Sequence, residues 1–554
     1  MSERSSHVIP LAGGCAAALL LLIWLVTRDG ASGGNEPPAG PVPESAAPAP
    51  ADRAPGGPTA PAGIDRSPGL PATPLLAALL QLPRETGARP HEAVLTFASM
   101  EAYRRFLARA SQLGLTILGQ LDALLTVRVR YDSLAGLQSD MLANGGDYTE
   151  VGANYYVAIP ATPPKQDRPP QNLVPVGNDA LAILGVTGDH SQWGRGVTIA
   201  VLDSGVAPDS TFGTGRLRSL DIGLGTAAGG GPDDGHGTAV AALAAGAAPD
   251  APGVAPAADI LNIRVTDANA QSDVFTIAQA ILAAAEAGAQ VINISLGGYE
   301  TSPTLTQAID YAIQRGAVIV ASAGNDQAAQ LTWPAADPRV VSVGATDALE
   351  QQVYFSNAGA QLKLTAPGYG VQTAWLGGER VSFDGTSASA PLAAGAIAAL
   401  MSTNPGMSAT QAAQVLEHYA SDGGAPGPDP NYGDGVVNLG WAMNRNNPLY
   451  VDTAISSHYY DAATGQMEFV IQNRGGQGIG GMVLSVDASG TTTTYSIPLL
   501  GPGASDVVAM AVDQSQLKAN SGMVFRTQLA NPAGVIDQVP ANNRKASALA
   551  PPTH

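Results

Sequence analysis

Between about residues 175 and 446 the chain alternates short, unbroken apolar runs with longer alanine-rich stretches, and this alternation leaves few folds open. VTIAVLD, ADILNIRV, AQVINISL, AVIVASAG and RVVSVGAT are each one strand long and lack the polar alternation of a half-exposed strand. A strand apolar on both faces must be covered on both faces, which is the condition of a parallel sheet between two layers of helices. TAVAALAAG, FTIAQAILAAAEAG and LTQAIDYAIQRG supply the helical stretches between the runs. Residues 175–446 therefore read as an enzyme-sized α/β domain with a mostly parallel sheet.

The flanks read differently. Residues 88–158 contain HEAVLTF, SMEAYRRFLARASQLG, TILGQL, ALLTVRVRY, SLAGLQSDMLA and TEVGANYYVA, in the order β-α-β-β-α-β, which predicts a small ferredoxin-like α+β domain. Residues 448–548 hold MEFVIQNRG, MVLSVDA, TTTTYSIPLL, DVVAMAVD and MVFRTQLA, parted by Gly, Asn and Pro turns, which predicts a β-sandwich. Residues 30–74 and 160–174 are Pro- and Ala-rich, a composition that cannot bury a core and acts as an extended tether. Within residues 1–29, the uncharged run from Val8 to Thr27 is long enough to cross a bilayer as a helix. It reads as a signal peptide cut near Ala31–Gly33 or as an uncleaved anchor, and its length favours the anchor. A single-pass membrane attachment there puts the rest of the chain outside the cytoplasm, in the periplasm or beyond, or releases it by secretion if the run is removed. Cys15 is the single cysteine and lies in that run, so the remainder forms neither a disulfide nor a cysteine-rich zinc site. With 46 acidic against 27 basic residues, the net charge of −19 argues against a nucleic-acid partner held by phosphate neutralisation.

Four residues of the α/β region stand where chemistry could be done. Asp203 ends the strand-like AVLD and is followed by a Ser-Gly turn, at the strand end where open α/β sheets put ligands. His236 sits between two glycines at the start of a helical stretch, which suggests little side-chain packing around it. Asn325 follows Gly324 after another buried strand, and Ser387 lies in GTSASAP at the start of a long Ala-rich helix. Each has an ordinary explanation: Asp and Ser cap helices, Asn makes turns, and a lone His is most often structural.

Taken in the order Asp, His, Asn, Ser within one domain, they resemble the subtilisin-like serine peptidases, the subtilase family. The resemblance runs over most of 195–445, through AVLDSGV, GHGTAVA, GVAP, VINISLGG, ASAGN, VSVGAT, APG and GTSASAP. It implies a subtilisin-like three-layer α/β/α fold and a serine endopeptidase acting on polypeptides. Ser387 would be the nucleophile, His236 the general base and Asp203 the group that orients it. Asn325 would donate its amide to the oxyanion beside the N–H of Ser387. Ser295, Leu296 and Gly297 would pair with substrate as an added strand, with Ala321 to Gly324, including Ala323, as the opposite wall of the specificity pocket and Thr332 at its floor. Small side chains there suggest that medium to large apolar residues are accepted. The family needs no cofactor for the chemistry and often carries structural calcium; no carboxylate cluster here has diagnostic spacing, so no metal ligands are assigned.

In position and element order, residues 88–158 resemble the inhibitory propeptide of this family. The tail after Val157 would then occupy the cleft as an intramolecular inhibitor and be cut before Asn178; the prolines of 160–176 are unlike an easily cleaved tail, which leaves open a domain that stays attached as a regulatory module. The last domain resembles the CARDB-like adhesion sandwiches, through FVIQNRGGQGIGG and VPANNRKA. The competing reading is a catalytically silent subtilase-fold scaffold for binding or adhesion.

Overall fold

The computed structural model describes residues 23–24, 72–161, 173–226, 234–519 and 522–550. In the central region seven strands form one parallel sheet, in the order Leu364–Pro367, Val341–Thr346, Val318–Ser322, Val291–Ile294, Thr198–Asp203, Asp259–Arg264 and Leu217–Ser219. Successive side chains of a strand point to opposite faces, and the two faces have separate cores. Ile199 and Val201 pack with helices His236–Ala245 and Thr386–Thr403, while Ala200 and Leu202 pack with helices Val274–Glu286 and Pro303–Gln314. The unbroken apolar runs are thus covered on both sides, as their composition requires. The edge strand Leu217–Ser219 has no counterpart among the apolar runs of the sequence, because it is three residues long and only Leu217 packs on the core, the other two being exposed.

The region before it is a four-stranded antiparallel sheet in the order Leu115–Leu121, Thr126–Tyr131, Glu92–Phe97 and Tyr148–Gly152, with helices Met100–Arg109 and Ala135–Asn144. This is the β-α-β-β-α-β arrangement read from the sequence, with two differences. A further helix, Ala72–Gln81, begins inside the stretch read as tether and buries Leu75 and Leu79 in the small core. The final strand is split: Tyr148–Gly152 stays in the small sheet, and Tyr156–Ala158 pairs antiparallel with Gln271–Asp273 of the α/β domain. Asn154 lies between the two pieces and is tied to both domains. It is fully buried, its Nδ2 donates to Glu92 Oε2 at 2.9 Å, and its Oδ1 accepts from the N–H of Phe275 at 3.2 Å.

The small domain and the α/β domain share a core, since Val94, Leu121, Leu124 and Val157 pack with Phe275 and its neighbours. Two arginines reinforce the seam. Arg89 Nε lies 2.6 Å and Arg128 Nη1 3.2 Å from Asp273 Oδ2, the first an ion pair without hydrogen-bond alignment. Asp273 also caps its helix by accepting from the N–H of Thr276 at 2.9 Å.

Two antiparallel sheets make up residues 453–549, one of Thr453–Asp461, Gln466–Asn473 and Ser505–Ala511, the other built on Arg544–Leu549, Met523–Ala530, Val483–Ala488 and Thr491–Ser496. Phe469, Phe525, Leu484 and Val486 fill the space between them. The sandwich is latched to the α/β domain by hydroxyls: Ser456 Oγ donates to the carbonyl of Asp422, and Ser457 Oγ to that of Gly424 at 2.9 Å. The apolar run from Val8 to Thr27 lies outside the described residues, apart from Ile23–Trp24, which form a two-residue strand beside Ala548–Leu549. Among the described residues no helix is long and apolar enough to cross a membrane.

Candidate active site

All four candidate residues lie at the C-terminal edge of the parallel sheet: Asp203 ends its strand, Asn325 follows the strand Val318–Ser322 by three residues, His236 opens a helix against Asp203, and Ser387 opens a helix against Ser295, just past the end of Val291–Ile294. Asp203 is the last residue of its strand and is fully buried. Its Oδ1 lies 2.7 Å from His236 Nδ1 and accepts the N–H of Ser204 at 2.7 Å. A carboxylate on Nδ1 holds the proton there and leaves Nε2 with the basic lone pair. The approach depends on Gly237, where a Cβ would stand 2.4 Å from the carbonyl of Gly205 and 3.1 Å from Asp203 Cβ.

The expectation that His236 has little packing around it is wrong. Its ring meets the edge of Phe383 with centroids 5.2 Å apart, and Phe383 in turn touches Trp375 at 6.2 Å. Both aromatics come from the hairpin of Val371–Ala374 and Arg380–Phe383, whose position relative to His236 only the tertiary fold reveals. The flanking glycines do not empty the site. They let other elements close over it, as the Trp375 ring does over Gly235.

Ser387 is the second residue of helix Thr386–Thr403, so its N–H is one of the unpaired donors at the helix's positive end. Gly385 precedes the helix at φ +132°, a conformation that suits glycine, and a Cβ there would come 2.9 Å from Asn325 Nδ2. Asn325 is held by its oxygen: Oδ1 accepts from the N–H of Thr386 at 2.9 Å and from Thr386 Oγ1 at 2.8 Å. The amide nitrogen is thereby turned into the cleft. Thr386 Oγ1 also accepts from the N–H of Gly324 at 3.2 Å, which ties the two segments together. Ser389 is structural, its hydroxyl donating to the carbonyls of Ala366 and Pro367 at 2.9 and 3.2 Å.

One expected contact is not made. Ser387 Oγ donates to the carbonyl of Ser295 at 3.2 Å instead of to His236. The cleft is also filled. Ala158 and Gly297 exchange backbone hydrogen bonds, N–H to carbonyl at 3.1 and 3.0 Å, and Asn325 Nδ2 donates to the carbonyl of Pro160 at 3.0 Å. The segment 156–160 is therefore an extended strand between Gln271–Asp273 and the 295–297 wall.

Around that strand, Ser295 and Gly297 present backbone, while the Leu296 side chain points into the core beneath. Ala323 and Gly324 form the facing segment. Thr332 lies between the walls, its Oγ1 donating toward the carbonyls of Ser322 and Ala323 at 3.4 Å each. Asn357, which sequence reasoning missed, braces this wall, with Oδ1 accepting from the N–H groups of Asp326 and Ala328 and Nδ2 donating to the carbonyl of Ala323. Among the described residues no group of three or more His, Cys, Asp or Glu side chains is placed to hold a metal ion.

A carboxylate-oriented imidazole, a serine at a helix N-terminus and a side-chain amide aimed at a bound carbonyl can together perform acyl transfer. The comparisons agree. The model of the subtilase family (peptidase S8) matches residues 194–435. Subtilisin Savinase of Lederbergia lenta is 36% identical over 255 residues, covering 44% of this chain and 90% of that protein. An alkaline protease of Shouchella clausii is 36% identical over 255 residues, 44% of this chain and 63% of that protein. Among solved structures, fervidolysin of Fervidobacterium pennivorans, a keratinolytic enzyme related to subtilisin, aligns over 84% of this chain and 77% of its own with a TM-score of 0.55, and at 21% identity it speaks to the fold alone. With a subtilisin matched over nine-tenths of its length and the Asp-His-Asn-Ser edge in place, the chain belongs to the subtilase family and is a subtilisin-like serine endopeptidase.

Proposed function

We propose that Ser387 attacks the carbonyl carbon of a peptide bond while His236 Nε2 takes its proton and later delivers it to the leaving amine. Asp203 keeps the tautomer and stabilises the imidazolium. Asn325 Nδ2 and the N–H of Ser387 receive the developing oxyanion. The backbone of Ser295 to Gly297 binds the polypeptide as an added strand, and Ala323, Gly324 and Thr332 bound a pocket for a medium to large apolar side chain. The observation that carries this reading is the Pro160 carbonyl on Asn325 Nδ2, on a chain already paired as a strand with Gly297. A substrate held in the same way would have its scissile carbonyl on the oxyanion donor. The catalytically silent scaffold has no observation in its favour.

By the same reading the domain of 88–158 is the enzyme's own inhibitor, docked through Asp273, Phe275 and the cleft strand. The run 8–27 tethers the enzyme to a membrane, with the domains acting outside the cytoplasm. The C-terminal sandwich, as a CARDB-like module, serves adhesion, substrate recruitment or stabilisation of the enzyme. No calcium ligands are assigned.

A fluorophosphonate probe tests the chemistry. Val157 is buried in the shared apolar core, so Val157→Asp should expel the tail and open the cleft in the full chain. That variant should be labelled, and adding Ser387→Ala should abolish the label. An unlabelled Val157→Asp chain that keeps its folded circular-dichroism spectrum would refute the assignment.

A further inference from the structure

We infer that Pro160–Ala161 is the bond that the small domain presents to Ser387, and that the proline itself keeps this bond uncut, so that the domain is a retained plug. The inference rests on the peptidase reading above and adds to it a cleavage site and the residue that protects it.

The register follows from antiparallel pairing. Ala158 and Gly297 are a hydrogen-bonded pair, exchanging both bonds, and in an antiparallel ladder the next such pair lies two residues on along each strand. Residue 160 therefore faces residue 295. Its carbonyl is on Asn325 Nδ2, which makes the carbonyl carbon of residue 160 the one addressed by the serine and the amine of Ala161 the leaving group.

In this register the N–H of residue 160 would donate to the carbonyl of Ser295. Proline has no N–H, so that acceptor is left to another donor, and the donor it finds is the nucleophile. Ser387 Oγ donates to the carbonyl of Ser295 at 3.2 Å. A hydroxyl committed to Ser295 does not give its proton to His236 Nε2, and an unactivated serine is a weak nucleophile. The same proline thus occupies the oxyanion donor and draws the serine away from its base. A residue with an N–H at 160 would take the Ser295 carbonyl and release the hydroxyl to the imidazole.

Restored in this way, the reaction is ordinary acyl transfer. Ser387 Oγ bonds to the carbonyl carbon of residue 160, its proton passes to His236 Nε2 and on to the nitrogen of Ala161, and the C–N bond breaks. Water then adds to the ester, giving a carboxylate at residue 160, a free amine at Ala161 and regenerated Ser387.

The test uses the full chain as wild type, Pro160→Ala and Pro160→Ala with Ser387→Ala, followed by intact mass and N-terminal sequencing. Pro160→Ala should generate a new N-terminus at Ala161, at least ~10²-fold faster than wild type, the low end of what general-base assistance contributes. Adding Ser387→Ala should stop it. Equal rates for wild type and Pro160→Ala, or cleavage at another bond, would overturn the inference. So would an intact Pro160→Ala chain alongside a Val157→Asp chain that labels with fluorophosphonate. If Val157→Asp does not label, the peptidase reading itself falls, and the inference with it.

Discussion

In the proposed mechanism Thr386 orients the oxyanion donor through its two hydrogen bonds to Asn325 Oδ1, and Thr386→Val tests that role at nearly constant shape. The substitution removes one of the two hydrogen bonds on Asn325 Oδ1, leaving the backbone N–H of Thr386 as its partner. A hydrogen bond of this kind is worth about 1 kcal/mol net. If that energy is what keeps Nδ2 aimed into the cleft, its loss appears in the transition state and lowers kcat about fivefold, since each ~1.4 kcal/mol is a factor of ten. Deleting the amide with Asn325→Ala should cost far more, ~10²–10³-fold, a figure itself taken from a member of this family. Thr386→Val carries a second cost, because the buried N–H of Gly324 loses its acceptor. That should lower stability by about 1–3 kcal/mol and Tm by about 2–4 °C per kcal/mol in a domain of this size. The assay is hydrolysis of a short chromogenic peptide in the Val157→Asp background, with kcat and KM measured separately and melting followed in parallel. KM should be nearly unchanged, and Thr386→Ser, which keeps the hydroxyl, should restore kcat. A Thr386→Val enzyme that melts early but turns over at the parent rate would refute the positioning role, as would a Thr386→Ser enzyme as slow as the valine.

Three further outcomes follow from the geometry. In the same background Asp203→Asn should lower kcat by ~10⁴-fold, because an amide facing Nδ1 favours the wrong imidazole tautomer, with melting largely unaffected. Arg89→Ala with Arg128→Ala, which strips both cations from the nearly buried Asp273, should loosen the plug and raise the rate of fluorophosphonate labelling of the full chain about tenfold; an unchanged rate would mean that the apolar seam alone holds the domain. Burial pushes the Asp422 carboxyl up to about 6, well above its ordinary value, against the opposing pull of the Gly427 N–H. The folded state therefore binds the extra proton between about pH 4 and 6, so this group's contribution to stability is present below that window and lost as pH rises through it. Asp422→Asn, which can still accept from Gly427, should flatten that slope and raise stability at pH 7 by on the order of 2 kcal/mol, as read from urea melts at pH 4, 5.5 and 7.

The parts of the site legible in the sequence are those written in consecutive residues. A strand end that must turn at once, as at Asp203, or a glycine that lets a helix begin against a neighbouring group, as Gly237 against the Gly205 carbonyl and Gly385 against the Asn325 amide, leaves a local mark. The parallel sheet was legible for a similar reason, since strands covered on both faces advertise it in composition. Partners that meet from distant segments left no such mark. Phe383 and Trp375 around His236, Asn357 behind Ala323, and Thr386 on Asn325 are ordinary residues until the fold closes. Helix Ala72–Gln81 was hidden by the Pro-rich composition before it, although Leu75, Leu79 and Leu82 recur at helical spacing. The prolines after residue 159 were visible as unlike a cleavable tail; what they do depends on which one lies against Asn325.

The paired amides of Ala158 and Gly297 also carry a clock. Each is satisfied across the seam between plug and cleft, so neither can exchange its hydrogen with solvent until the strand lifts away. Exchange that requires a common opening reports the free energy of that opening. Deuterium uptake at these two amides, measured on the resting wild-type protein, would therefore move together, and their shared protection would give the fraction of time the cleft stands open, with no substrate, probe or mutation involved.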